Sequence, residues 1–261
     1  MKALTFVIGF QTAQFKVHVQ KLSRRTYLIP PPSAVAGIFG AILGVPRKEL
    51  KNYCRKQKLL VGAELRSLEG YYTTISRIFK FDRDEKGIKR LLEKWLRKPM
   101  DVRIYKDIVG LMPLKESEEL FRPEYKFAIA AEDEVIDEGL RRIRELNFEY
   151  DIFGGNDYHF VHYIGDAREA RLIRSKEGTG YCPAKDVYSI NAQEYEIIAA
   201  NSCLSERGIS LPVVISAPVG PVMDVFTFVY KASIITKSER YAVQDDESTI
   251  FVFNPTRCLV P

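Results

Sequence analysis

The stretch Pro30–Gly44, PPPSAVAGIFGAILG, sets the tightest limits on what this 261-residue chain can fold into. Three prolines run into a segment without a charge. A membrane-spanning helix needs about 20 apolar residues, and the uncharged run ends at Pro46, so it is too short to cross a bilayer. It also lies away from Met1, where a secretory signal would begin. Proline fixes φ and has no N–H to donate, so the three form an extended lead-in that stops where a helix starts. A proline or Ser33 suits the first helical positions, and Gly44 ahead of Val45-Pro46 is a stop signal. On that helix Ser33, Gly37, Gly40 and Gly44 share one face, while Val35, Ile38, Phe39 and Ile42 fall elsewhere. Each glycine costs a helix up to about 1 kcal/mol relative to alanine. The bare face therefore implies close packing against a sheet or a partner.

A chain of this length can bury one large core or two modest ones. Cys54, Cys182, Cys203 and Cys258 lie far apart with no C-x-x-C spacing. That argues against a disulfide framework or structural zinc, fits a reducing cytoplasm, and leaves the cysteines as small buried hydrophobes. Charge is unevenly spread. Residues 1–110 hold 23 Lys/Arg against 9 Asp/Glu, and residues 111–261 hold 16 against 25, so +14 and −9 sum to the overall +5. A basic half of this size is the footprint of a polyanion binder. The competing explanation is that the cations solvate helix faces, as several between Lys48 and Lys58 do.

Lys2–Phe10 reads as an apolar first strand, followed by the basic segment Gln11–Tyr27 and the proline-led helix. A second helix is expected from Pro46 to about Gln57. Leu59–Phe81 is β-rich, and Lys86–Lys98 is helical, with Ile88, Leu91, Leu92, Trp95 and Leu96 on one face. Strands are expected at Arg103–Val109 and Tyr125–Ala130, a helix at Glu132–Leu146, and a final strand up to Ile164. The order β–α–β–β–α–β with a long excursion in the middle is the ferredoxin-like, or RRM-like, pattern. From about Ala170 short β runs take over, clearest in Asp224–Tyr230. The expected fold is thus α+β: a ferredoxin-like palm over 1–169 with a thumb inserted at about 70–112, then a small β-rich C-terminal domain over 170–261.

The N-terminal strand, the Pro30–Gly44 helix, the segment from Met112-Pro-Leu-Lys115 to Arg122-Pro-Glu-Tyr-Lys-Phe127, and Phe153-Gly154-Gly155-Asn156-Asp157-Tyr158 occur in this order within the first 165 or so residues. In order and spacing they resemble the CRISPR-associated protein family 5 of the RAMP superfamily, in the form found in type I-A and I-B interference complexes. The resemblance implies an RRM-like palm, a protruding thumb and often a small C-terminal β domain. It also implies a role: capping the 5′ handle of the crRNA in the Cascade complex, in contact with its backbone subunit, its large subunit and, indirectly, target DNA. A cytoplasmic, antiviral, non-enzymatic RNA-binding subunit is the reading adopted. A metal-independent endoribonuclease that processes CRISPR repeat RNA, and a scaffold whose basic half contacts protein, are the alternatives.

An RNA clamp needs cations for phosphate and planar groups for unstacked bases. Lys16, Lys21, Arg24, Arg25 and Tyr27 supply these in the first basic tract, Arg77 and Lys80 in the second, and Lys106 in a third; for each, a solvated strand face is the alternative. Gly154 and Gly155 could let a phosphate approach backbone N–H groups, or could simply form a tight turn. Asn156, Tyr158 and His159 complete the candidate RNA contacts. A metal-free ribonuclease needs a general base, a general acid and a cation, which Tyr158, His159 and Lys106 could supply in principle. His159 and His162, however, are three apart in an expected strand and should point to opposite faces. No catalytic set, metal site or cofactor motif is assigned, since no Walker A, dinucleotide fingerprint or H-E-x-x-H is present.

Overall fold

The structure is a computed structural model that describes residues 1–17, 23–77, 85–98, 103, 114–155, 158–192, 196–199, 212–220 and 224–259. In chain order its elements are β1 (Lys2–Phe10), β2 (Thr12–Ala13), β3 (Phe15–Lys16), β4 (Ser23–Arg24), β5 (Thr26–Tyr27), α1 (Pro32–Leu43), α2 (Leu50–Lys56), β6 (Leu60–Ser67), β7 (Gly70–Arg77) and α3 (Glu85–Arg97). Next come β8 (Leu114–Phe121), β9 (Glu124–Ala131), α4 (Asp133–Glu145) and the long β10 (Val161–Gly178). The C-terminal part holds β11 (Tyr181–Pro183), β12 (Val187–Asn191), β13 (Glu196–Ala199), β14 (Val213–Val219), β15 (Asp224–Tyr230), β16 (Ser233–Gln244) and β17 (Thr249–Phe251). The chain is mixed α/β and mostly sheet.

The main sheet has seven strands in the order β12-β16-β10-β1-β9-β6, with β17 paired to β16. The elements β1-α1-β6-β9-α4-β10 contribute its four strands β10-β1-β9-β6, each pair antiparallel. β1 lies centrally and is buried on both faces, which explains its near-continuous apolar sequence. Leu4, Phe6, Ile8 and Phe10 face the helices in the large core with Val35, Phe39, Ile136 and Leu140. Ala3 joins Ala128 and Ala130 in a second cluster beneath Val243, Ile250 and Val252. That second face is where an RRM stacks bases on exposed aromatics. Here it carries alanines and is covered by the chain's own C-terminal hairpin.

The proline-led helix forms as its sequence dictates: Pro32 takes the first turn, and Gly44 closes it at φ +79°. Its thin face, however, does not meet the sheet. A Cβ on Gly37 would meet nothing within 4 Å, and one on Gly40 would meet Leu50 Cδ1 of α2 at 2.8 Å. The bulky face instead seats on the core, with Val35, Phe39 and Ile42 fully buried. At Gly40 the thin face thus admits α2, and an equally close approach occurs on α4, where a Cβ on Gly139 would lie 2.8 Å from the Phe39 ring. Apolar burial outweighs the bare face in deciding which side of α1 turns inward.

α2 starts at Leu50, later than its expected start, because residues 47–49 form a turn. The strand expected at Arg103–Val109 lies outside the described residues except for Arg103, which is helical. Between β6 and β9, β7 and β8 pair as an antiparallel ribbon, and β8 also holds β2 and β4. The expected domain division at 169/170 falls inside β10. β12, β16 and β17 join the main sheet, while β11-β15-β14-β13 form a sheet of their own. Among the described residues, Cys54, Cys182 and Cys258 are buried free thiols; Cys203 lies outside them. No described helix is long and apolar enough to cross a membrane.

Candidate nucleic-acid interface

Where β1 ends, the chain crosses between two aromatic residues. The Gln11 N–H donates to the Phe160 carbonyl at 2.9 Å, and the Gln11 carbonyl accepts from the Arg122 N–H at 3.0 Å. Thr12 pairs with Phe121 across β2 and β8. Phe121, Tyr158 and Phe160, in the segments that flank this crossing, are 43%, 52% and 55% exposed. Neighbouring rings support them: Phe153 lies 5.9 Å from Phe160 and Tyr72 lies 6.5 Å from Phe121, centroid to centroid.

Beside Phe121 and Tyr158 sits a polar cluster centred on Glu119, a carboxylate only 6% exposed. Tyr72 donates to it at 2.9 Å, Thr74 at 3.2 Å and Tyr158 at 3.3 Å. A buried carboxylate must be hydrogen-bonded to be tolerated, and three hydroxyls supply the bonds. Burial, reinforced by the adjacent carboxylate, pushes the Tyr72 phenol up to about 12, so it stays protonated and donating. Gln14 extends the cluster, donating to Ser117 Oγ at 2.5 Å and to the Glu118 carbonyl at 2.8 Å.

His159 is fully buried. Its Nδ1 shares a 2.6 Å hydrogen bond with Thr12 Oγ1, and its buried Nε2 has no hydrogen-bond partner among the described residues. Its ring lies 4.2 Å from that of Tyr158. Burial lowers its proton affinity below the ordinary histidine value, against a smaller opposing pull from Glu119. His162 lies apart from it, exposed on β10 and packed against Gly9. Among the described residues no group of three or more His, Cys, Asp or Glu is arranged to hold a metal.

The residues expected to touch RNA separate into distinct settings. Lys16 is exposed on β3. Arg25 points at Glu118, 3.5 Å away, at 20% exposure. Tyr27 is a correction: it is 2% exposed, its ring packs 5.6 Å from Phe228, and its hydroxyl donates to the Pro218 carbonyl. It ties the basic segment to the C-terminal sheet and offers no face to a base. His159 is likewise a core residue and not a surface contact.

The glycine pair is corrected as well. The Gly154 N–H is spent on the His159 carbonyl at 2.8 Å, and the Gly154 carbonyl accepts from Gln14 at 2.8 Å. Gly155 sits at φ +115°, with its Cβ position 1.9 Å from the Gln14 carbonyl oxygen. These glycines let a turn press against the β2–β3 connection, where any side chain would clash. Among the described side chains of this motif, Tyr158 faces outward. Arg24 and Arg77 lie on β4 and β7, but their side chains are outside the description, as are Lys21, Lys80, Lys106 and Asn156 altogether.

Phe121, Phe160 and Tyr72 were absent from the sequence-derived set. Each lies in a separate segment, and only the long-range pairing of β2 with β8 and of Gln11 with Phe160 brings them together. The one local signal was Phe160 beside a motif already singled out.

The sequence matches the family described as CRISPR-associated protein (Cas_Cas5) over residues 3–190. The chain belongs to that family. Comparison with curated proteins found no match. Among solved structures it is similar to a CRISPR protein from Archaeoglobus fulgidus, with TM-score 0.42, 11% identity, and coverage of 96% of this chain and 99% of that one. It is similar also to a chain of a CRISPR RNA-guided surveillance complex, with TM-score 0.41, 13% identity, and coverage of 95% and 89%. A structure described as a Cas protein matches 60% of this chain and 58% of its own length, with TM-score 0.36 and 15% identity.

Proposed function

We propose that the chain is a non-catalytic RNA-holding subunit of a Cascade interference complex, which caps the 5′ handle of the crRNA in antiviral defence. In this reading the four strands β10-β1-β9-β6 with α1 and α4 are a ferredoxin-like palm, and β7, α3 and β8 belong to its thumb. The Cascade backbone and large subunits are its protein partners. Family membership over residues 3–190 supports the place in the complex.

The observation that carries the RNA reading is the exposure of Phe121, Tyr158 and Phe160 in the segments around the Gln11–Thr12 crossing. Stacking a base on an aromatic ring is worth about 1–3 kcal/mol and tolerates any sequence. The sheet face that would otherwise serve is covered, so unstacked bases have this cluster to rest on. The buried Glu119 disfavours phosphate at its centre, and the backbone is better placed toward the rim, where Lys16 is exposed.

The burial of His159 supports a binding role over cleavage. A general base must come within hydrogen-bond reach of the hydroxyl it deprotonates, and this imidazole is fully enclosed, with Nδ1 engaged by Thr12. Co-expression with the neighbouring subunits, followed by sequencing of co-purified RNA, tests the cap role. A single defined 5′ end is the expected result; no RNA, or RNA with scattered 5′ ends, would count against it.

A further inference from the structure

The outer strands of the main sheet carry a second pairing of charge and ring. Arg174 on β10 and Tyr241 on β16 are direct cross-strand partners. The guanidinium carbon lies 4.5 Å from the Tyr241 ring centroid, and Nη2 donates to its hydroxyl at 3.2 Å. One pair inward on the same face, Leu172 and Val243 are covered by Ile250 and Val252. That cover stops at Tyr241, whose carbonyl accepts the Val252 N–H at 3.0 Å and whose side chain remains 45% exposed. Tyr188 on the adjacent β12 is 75% exposed.

β10, β16 and the turn before β12 are rich in cations, in the half of the chain whose net charge is −9. Arg168 and Arg240 are held by Glu247 at 2.7 Å and Asp186 at 2.6 Å. Among the described residues, no carboxylate pairs with Arg171, Arg174, Lys176, Lys185 or Lys237. This surface is remote from the Phe121–Tyr158–Phe160 cluster. Val161, at the cluster's end of β10, pairs with Phe10, and Arg174 follows after roughly 40 Å of extended strand.

We propose that the Arg174–Tyr241 surface is a second contact for single-stranded nucleic acid. A guanidinium laid on a tyrosine ring is a preformed plane. Its outer face can stack an unpaired base while its N–H edge bonds a phosphate. The surrounding cations supply the salt-dependent attraction to a polyanion. An acidic protein would use the cations but gains nothing from the stacked plane, and a base-paired duplex presents no free base to it.

The test uses the full chain with 15-nucleotide oligouridylate and oligothymidylate probes carrying photoreactive 5-iodo pyrimidines; the two distinguish RNA from DNA as the source. A crosslinked tryptic peptide beginning at Tyr241 is expected, in addition to any adduct at Tyr158 or Phe160. In a Tyr158→Ala, Phe160→Ala background, Tyr241→Ala and Arg174→Ala should each weaken binding about tenfold. Tyr241→Phe, which keeps the ring, should bind nearly as well as its parent. No adduct on the Tyr241 peptide, unchanged affinity in Tyr241→Ala, or displacement of the probe by polyglutamate or duplex as readily as by unlabelled oligonucleotide would overturn the proposal. Loss of only the Tyr158 or Phe160 adduct would count against the first surface and leave this one standing.

Discussion

Lys126 Nζ lies 2.7 Å from Asp245 Oδ2, and the two side chains are 4% and 3% exposed. They join the middle of β9 to the loop after β16, so the C-terminal hairpin is fastened over the second face of the main sheet. Thr5 Oγ1 donates to the same carboxylate at 2.7 Å, and the N–H groups of Glu247 and Ser248 donate at 3.0 Å. These bonds outweigh the burial that would raise the carboxyl's pKa, and they hold it at about 2.

Removing Asp245 leaves the buried Lys126 ammonium with the partly exposed Glu247 as its remaining carboxylate, 3.1 Å away. Asp245→Ala should cost about 3 kcal/mol, read as a fall in the urea midpoint. In the wild type the folded pKa lies below the unfolded value of 3.8, so the pair's contribution is complete above pH 3.8 and fades as pH falls toward 2. That contribution is about 2 kcal/mol. Asp245→Asn should flatten the stability curve between pH 4 and pH 2; a curve as steep as the wild type's would show that this carboxylate is not the fastening.

His159 acts in a different pH window, with the opposite balance of forces. Its folded pKa lies below the ordinary 6.5 because burial penalises the charged ring. The unfolded chain therefore takes up a proton first, and stability declines as pH falls below 6.5. Among the described residues, Thr12, Tyr158 and Glu119 face it; Glu119 favours the proton, and burial outweighs it. Melting temperature should drop between pH 7 and pH 5.5 in the wild type, and that part of the slope should vanish in His159→Gln. An unchanged slope would place the titrating group elsewhere.

Two glycines should respond in opposite directions. Gly37 is helical with open space around it, so Gly37→Ala should stabilise the chain by about 0.5–1 kcal/mol. At Gly155 the positive φ and the Gln14 carbonyl both oppose a side chain, and Gly155→Ala should destabilise by about 2 kcal/mol or more. Thermal melts of the two variants check both signs. A neutral Gly155→Ala would mean that the turn is not seated on Gln14.

What could be read in the sequence was local. The apolar run of β1, the proline lead-in of α1 and the 3.6-residue periodicity of α4 fixed those elements without any knowledge of their partners. The long-range pairings were not legible. Nothing near residue 170 indicates that β10 continues to Gly178 and recruits β16, because strand pairing is set by distant residues. Tyr27 reads as exposed in a basic segment, yet its burial depends on β14 and β15, almost 200 residues later in the chain. The same applies to His159: its hydrogen-bond partner Thr12 is 147 residues away. Of the glycine-pair motif, the sequence indicated a special backbone, but not whether a ligand or the chain's own Gln14 filled the space.

In the proposed function, this chain holds RNA on Phe121, Tyr158 and Phe160 without cutting it. The most direct measurement is to incubate the purified chain with 5′-labelled CRISPR repeat RNA in EDTA and run native and denaturing gels in parallel. The account predicts a shifted band on the native gel and intact RNA on the denaturing gel. It also predicts that Tyr158→Ala with Phe160→Ala weakens the shift roughly 10- to 100-fold with little change in melting temperature. A discrete cleavage product that disappears in His159→Ala, or a shift of full strength in the doubly substituted chain, would contradict it.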